Sequence, residues 1–274
     1  MATKKTTTKK SATAKASNPA AKKVTTKKTP AKKAAMETEK YPVDGNVGEA
    51  HGKVQLWKDG PYWATTNIGA EKAEDFGYYF WWGDTVGYKY VMNKWRAVDG
   101  SSSNFSFVSM MVSSDKGSPI RHSKRLSNVP TYGYGKGIAM LKRKGWITAD
   151  GVLLPEHDAA HVHWGGDWRM PTEMELQNLL DKCDWTWKEV NGVNGYVVRG
   201  KGDYASASIF LPAAGCGSDS SLFNDGLYGD YWSSVACANI KDARHLYFGS
   251  GNSGAGSDGR YRGMSLRPVQ GFTK

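Results

Sequence analysis

Cysteine is scarce in this chain: Cys183, Cys216 and Cys237 are the only three. An odd count without C-x-x-C spacing argues against a disulfide framework and against a structural zinc site, so all three read as reduced core or surface thiols. Long apolar runs are missing as well. None approaches the ~20 residues that a bilayer-spanning helix needs, and no apolar h-region marks a secretory signal. Arginine is absent from residues 1–40, which fits a mitochondrial presequence poorly.

Positive charge is present but unevenly placed. Residues 1–40 hold twelve lysines against Glu37 and Glu39, so +10 of the formal net charge of +11 lies there and the remainder is near neutral. The lysines come largely in pairs, Lys4-Lys5, Lys9-Lys10, Lys22-Lys23, Lys27-Lys28 and Lys32-Lys33, spaced by Thr, Ala, Ser and Pro. Such a stretch cannot bury enough apolar surface to offset its chain entropy and is expected to be disordered. It resembles the lysine-alanine-proline tails of linker-histone-like proteins. A flexible polycation attracts polyanions by counterion release, which makes nucleic acid one expected partner; a solubilising or tethering role is the alternative.

Residues 41–52 read as a linker and 53–274 as one domain. Eleven Trp and fourteen Tyr imply a core built on aromatic rings with few long helices. Lys53–Trp57 alternates and reads as a strand; Lys58–Pro61 turns it, and Tyr62–Asn67 runs back as a hairpin partner. A short helix is expected over Glu71–Phe76 and a buried strand over Tyr78–Trp82. Gly87–Gly137 reads as long surface loops. Trp146–Thr148 and Val152–Leu154, flanking Ala149-Asp150-Gly151, give a hairpin signal. Thr172 with Glu175 three residues on forms a capping box, and Leu176, Leu179, Leu180 and Cys183 recur on one helical face, so a helix starts at Glu173. Asp184–Trp187, Gly195–Arg199 and Ser208–Pro212 read as short strands.

The stretch Tyr231–Val269 organises the rest. Ala243, Leu246 and Phe248, then Met264 and Leu266, supply an inward apolar row for two core strands, with the glycine-rich Gly249–Gly259 expected as the loop between them. The outward side chains and that loop form a candidate binding surface.

Several landmarks occur in one order: Leu154–Ala160, Trp164-Gly165-Gly166, Trp168–Thr172, Ile209–Gly215, Tyr231–Ser234 and Ser265–Val269. Together they resemble the Fibrobacter-type major paralogous domain family, a branch of C-type-lectin-fold proteins related to formylglycine-generating-enzyme-like domains. The resemblance covers roughly Lys53–Val269. It implies an α+β, C-type-lectin-like fold: mixed short-stranded sheets with two helices and long loops, preceded by the disordered tail. It also implies that Trp168, Arg169, Pro171, Trp232 and Arg267 serve the core, caps and buried ion pairs. The terminal stretch is further similar to the variable region of proteins diversified by retroelements, in which adenine-directed mutagenesis restricts substituted codons to the form NNY. Asp242–Arg262 holds only residues encodable in that form and lacks Lys, Glu, Gln, Met and Trp. On that resemblance the contact residues are Asn224, Leu227, Asp230, Val235, Cys237, Asn239, Asp242, Arg244, His245, Tyr247, Ser250, Asn252, Ser253, Ser257, Asp258, Arg260, Tyr261 and Arg262. Their Tyr, Arg and His side chains suit recognition of a protein or glycan.

Catalytic and metal chemistry is not supported by spacing. His157 and His161 would share one face of a helix and could grip a metal, but no third ligand is identifiable. The clustered carboxylates of a calcium-dependent lectin are not visible, and Cys216 with Cys237 carries no supporting oxidase motif. Neither a phosphate loop nor a nucleophile elbow is present. The expectation is a non-enzymatic binding protein without cofactor, cytoplasmic or virion-associated, whose C-terminal face meets a macromolecular partner. The alternatives are a nucleic-acid-associated protein working through its tail and a fixed adhesin or phage receptor-binding domain.

Overall fold

The computed structural model describes residues 51–107, 137–239 and 241–271. The paired lysines of 1–40, and the linker up to residue 50, lie outside them. Strands β1 (Lys53–Gln55) and β2 (Tyr62–Ala64) form the expected hairpin. No helix forms over Glu71–Phe76; the Asp75 carboxylate instead accepts from the backbone N–H groups of Glu71 and Lys72 and holds a turn. Tyr78–Trp82 is buried as expected, but it makes only single bridges, Tyr79 to Tyr88 and Phe80 to Met264, rather than a ladder.

Within the stretch expected as loops lies a second hairpin, β3 (Tyr88–Val91) and β4 (Lys94–Ala97). Its turn residues Met92 and Asn93 have φ of 52° and 58°, the left-handed pair that matches strand twist in a two-residue hairpin. Asn at the second position hints at this turn; Met at the first conceals it. Helices α1 (Gly137–Arg143) and α2 (Ala159–Trp164) follow, then strand β5 (Trp168–Arg169) and helix α3 (Glu173–Lys182). The capping box at Thr172 and Glu175 is present, and Leu176 and Leu179 face the core. Strands β6 (Asp184–Val190), β7 (Val193–Arg199) and β8 (Ser208–Pro212) make an antiparallel meander; β9 (Cys216–Ser218) pairs with β10 (Ser221–Phe223). A second meander joins β11 (Tyr228–Ala236), β12 (Asp242–Gly249) and β13 (Asn252–Gly259). The last strand, β14 (Val269–Gln270), inserts between β2 and β5, giving a four-stranded sheet in the order β1-β2-β14-β5.

The expected C-type-lectin-like arrangement of mixed sheets with two helices is therefore corrected. Every ladder among the described residues is antiparallel, and three short helices accompany fourteen strands. The protein is predominantly a set of small antiparallel sheets. Among the described residues no helix is long and apolar enough to cross a membrane.

Aromatic rings fill the spaces between the sheets. One cluster joins Tyr79, Trp81, Tyr88, Trp95, Phe105 and Phe107, with Tyr88 and Phe105 stacked at 3.9 Å. Another puts Phe248 of β12 against Tyr231, Trp185, Trp187 and Tyr196. Edge-to-face and offset ring pairs of this kind add to plain area burial. The buried charged groups Arg267, Arg169 and Asp158 are hydrogen-bonded, while the indole N–H groups of Trp63, Trp81 and Trp95 have no partner among the described residues. Arg267 donates from Nε to Asn67 Oδ1 (2.9 Å), from Nη1 to the carbonyls of Ala64 (3.1 Å) and Thr65 (3.2 Å), and from Nη2 to that of Phe210 (2.9 Å). Burial lowers its pKa to about 10. Arg169 grips Glu175 through both terminal guanidinium nitrogens, Nη1 at 2.7 Å and Nη2 at 2.5 Å, and also donates to the Gly271 carbonyl. The Asp158 carboxylate accepts from the backbone N–H groups of Ala160, His161 and Met170. Burial nevertheless pushes its pKa up to about 6.

Candidate functional site

The glycine-rich segment expected as a loop is strand β13, paired residue for residue with β12 from Asp242–Gly259 to Gly249–Asn252. Glycine weakens a strand because it has no side chain to pack. Here the partner strand supplies the missing cover. Tyr247 stands opposite Gly254 and His245 opposite Gly256; a Cβ added to Gly254 would meet the Tyr247 hydroxyl at 2.7 Å. Rings laid across glycines rescue such a strand. Met264–Leu266, expected as the second core strand, is buried but makes only bridges.

Side chains two apart share a face, so the register sorts this sheet into two surfaces. Tyr231, Leu246 and Phe248 point inward, and Arg244, of the same parity, reaches Glu173 Oε1 on α3 at 3.2 Å. Tyr228, Asp230, His245, Tyr247 and Asp258 have the opposite parity. At one end that outer face is covered, since Trp232 donates from its indole to the Phe80 carbonyl. The other end is open, with Tyr247 37% and Tyr228 46% exposed. Leu227 and Phe223, just before β11 and in β10, are also exposed.

The open end is electrostatically unusual. Asp230 Oδ1 lies 3.6 Å from His245 Nε2, beyond hydrogen-bond reach, and the buried Nδ1 of His245 has no partner. The Asp258 carboxylate is 3.7 Å from Arg262 Nε. Burial, reinforced by the charge of Asp258, pushes the Asp230 pKa up to about 6. Burial lowers that of His245 against the pull of Asp258 and Asp242. The nearby Cys216 thiol is pushed up to about 12 by burial and by Asp230, which keeps it protonated and a poor nucleophile.

The expected contact residues divide accordingly. Asn224, Leu227, Asp230, Tyr247 and Asp258 gather on the outer face or its rim, with Ser250 and Asn252 at the β12–β13 turn and Tyr261 and Arg262 half-buried after β13. Val235, Arg244, Ser253 and Ser257 do not join them. Val235 lines a separate hollow of about 330 Å³ with Val152, Thr172 and Met174, and Arg244 is paired to α3. Asn239 and Asp242 build a turn: Asn239 Oδ1 accepts from the N–H groups of Lys241 and Asp242, and its amide donates to the Asp242 carboxylate. Three side chains expected outward are buried, which corrects them as direct contacts. Arg260, 1% exposed, lies with its guanidinium 5.8 Å over the Trp82 ring. His245 is tucked beside Trp232 and Tyr247, and Cys237, buried, follows the last residue of β11.

Sequence reasoning missed Phe223 and Tyr228. The signal was available, because Asn224-Asp225-Gly226, with φ of 60° at Asn224 and 77° at Gly226, is a turn that pushes its aromatic flanks to a tip. His157 and His161 fall in different elements, a 3-10 turn over Pro155–His157 and α2, separated by the α2 N-cap Asp158. The shared helical face needed for a metal grip is therefore lost. Among the described residues no group of three or more His, Cys, Asp or Glu side chains could hold a metal ion. A concavity of about 720 Å³ opens elsewhere, between Leu153, Pro155, Trp168, Met170 and Met174, with Arg169 and Glu175 already paired at its wall. No protein-family model, curated protein or solved structure matches this sequence.

Proposed function

We propose that this chain is a non-enzymatic ligand-binding protein that meets a macromolecular partner through the open outer face of β11, β12 and β13, as a variable protein of a diversity-generating retroelement. One observation carries the reading: the frame leaves Tyr228 and Tyr247 exposed on a rigid antiparallel sheet whose other face is the aromatic core. Rigid aromatic side chains give large contact area at low entropic cost. Substitution on this face leaves the inward row untouched, since the two sets alternate along each strand. The composition of Asp242–Arg262, free of Lys, Glu, Gln, Met and Trp, supports diversification through NNY codons.

The test is genetic. Sequencing the 3′ part of the coding region across a population is expected to find substitutions concentrated at Asn224, Leu227, Asp230, Tyr247, Asn252, Asp258, Tyr261 and Arg262. A reverse transcriptase and an imperfect repeat differing only at adenines should lie alongside. An invariant region without that repeat refutes the retroelement reading.

A second role rests on charge. The twelve lysines of residues 1–40 favour a polyanion such as nucleic acid. DNA affinity that falls steeply with salt and is lost on deleting residues 1–40 is the expected result; equal affinity without them rules this role out.

A further inference from the structure

The outer face has a charge problem that the fold leaves unsolved. Asp230, its side chain 17% exposed, receives no hydrogen bond to its carboxylate among the described residues. The one cation in the group, Arg262, lies 3.7 Å from the Asp258 carboxylate without a hydrogen bond from Nε among the described residues and only partly offsets the charge of Asp230. His245 is more than nine-tenths buried, and its two ring nitrogens are unbonded: Nε2 faces Asp230 at 3.6 Å, and Nδ1 has no partner. A buried polar group left unpaired is costly, and native proteins rarely keep one without a purpose. Tyr247 stands directly across the ladder from Asp230, and Tyr228 is two residues before it on the same face. A largely buried carboxylate without a hydrogen bond, on a face that also exposes two tyrosines, suits a cation, which gains the charge pairing there and has aromatic rings on the same face.

We propose that this spot on the outer face takes the cationic side chain, arginine or lysine, of a protein partner, and that Asp230 is the residue that selects it. The inference rests on the binding face proposed above and names the chemistry of its partner. An acidic partner such as nucleic acid is disfavoured at this spot, because Asp230 and Asp258 together outweigh Arg262.

The test titrates the full chain, labelled with 15N at histidine, with N-acetyl-arginine amide and N-acetyl-lysine amide, using neutral N-acetyl-glutamine amide as control. The His245 ring resonances should shift saturably with either cation, with a dissociation constant on the order of 1 mM for a ligand of this size. The control should leave them in place. Asp230→Asn should weaken cation binding at least about tenfold, while its unchanged thermal melt or greater stability shows that it folds. Equal shifts with the glutamine amide, or unaltered affinity in Asp230→Asn, overturn the proposal. Peptides selected on the face from a display library give an independent arm: a fixed Arg or Lys supports the cation site. Face-binding peptides that lack any basic residue sink the cation site yet leave the binding-face reading intact. An invariant coding region sinks the retroelement reading without touching the titration.

Discussion

The two faces of the sheet formed by β11, β12 and β13 are built from the same strands and obey opposite rules. On the inner face Phe248 packs on four aromatic rings, Tyr231 donates its hydroxyl to the Pro212 carbonyl at 2.8 Å, and the adjoining Arg267 has an acceptor for each guanidinium nitrogen. On the outer face a carboxylate and an imidazole 3.6 Å apart fail to bond, and two tyrosines stand in solvent. The difference separates residues that the fold needs from residues that it merely carries. A surface that contributes little to stability can change its chemistry without losing its support.

Substitutions can break that contrast, beginning with the strongest. Phe248→Ala should destabilise the domain by about 3–5 kcal/mol, the usual cost of deleting a fully buried ring; urea unfolding measures it, and a loss under about 1 kcal/mol would mean that the inner face is not the frame. Arg267→Met should cost at least about 3 kcal/mol, because Asn67 and the carbonyls of Ala64, Thr65 and Phe210 lose their donor and each orphaned buried acceptor is expensive. Asp230→Asn should act in the opposite direction. The folded-state pKa of Asp230 is raised to about 6, so its protonated form favours folding. Its contribution to stability is complete below the unfolded value near 4 and is lost as the pH rises through about 6. At pH 7.5 the Asn variant should therefore be more stable than the parent by about 1–2 kcal/mol, and the gap should close near pH 4. Asp158, with the same direction of shift, is present in both proteins and cancels in the comparison. A gap that stays constant with pH would refute the unpaired-carboxylate picture. The smallest effect belongs to Tyr228→Ser, within about 0.5 kcal/mol of the parent in thermal unfolding, since nearly half of the residue is exposed.

The inner face was the legible one. Leu246 and Phe248, two apart, marked the inward row of β12 because burial imposes a period of two, whereas Ala243, expected in that row, has the opposite parity and is buried on the other side with Trp232; Thr172 with Glu175 announced α3 because a capping box is a local device. β13 escaped because its cover comes from Tyr247 and His245 on another strand, which no local pattern in Asn252–Gly259 can reveal. The hairpin of β3 and β4 escaped because Met92 adopts a left-handed backbone that its residue type rarely signals. For the site, the resemblance to diversified variable regions placed Arg260 among the outward contacts; its seat over Trp82 depends on a residue 178 positions away in the sequence. The pairing failure between Asp230 and His245 is a matter of tenths of an ångström, which spacing cannot encode.

The placement of β14 has a consequence for synthesis. Val269 and Gln270 form the only ladder linking β2 to β5 in their sheet, and Arg267 lies just ahead of them. Translation that halts anywhere before residue 267 yields a polypeptide missing both the linking strand and the buried guanidinium. A reading frame damaged within the β12–β13 hairpin is therefore expected to give a chain that cannot close its four-stranded sheet and is removed as unfolded protein.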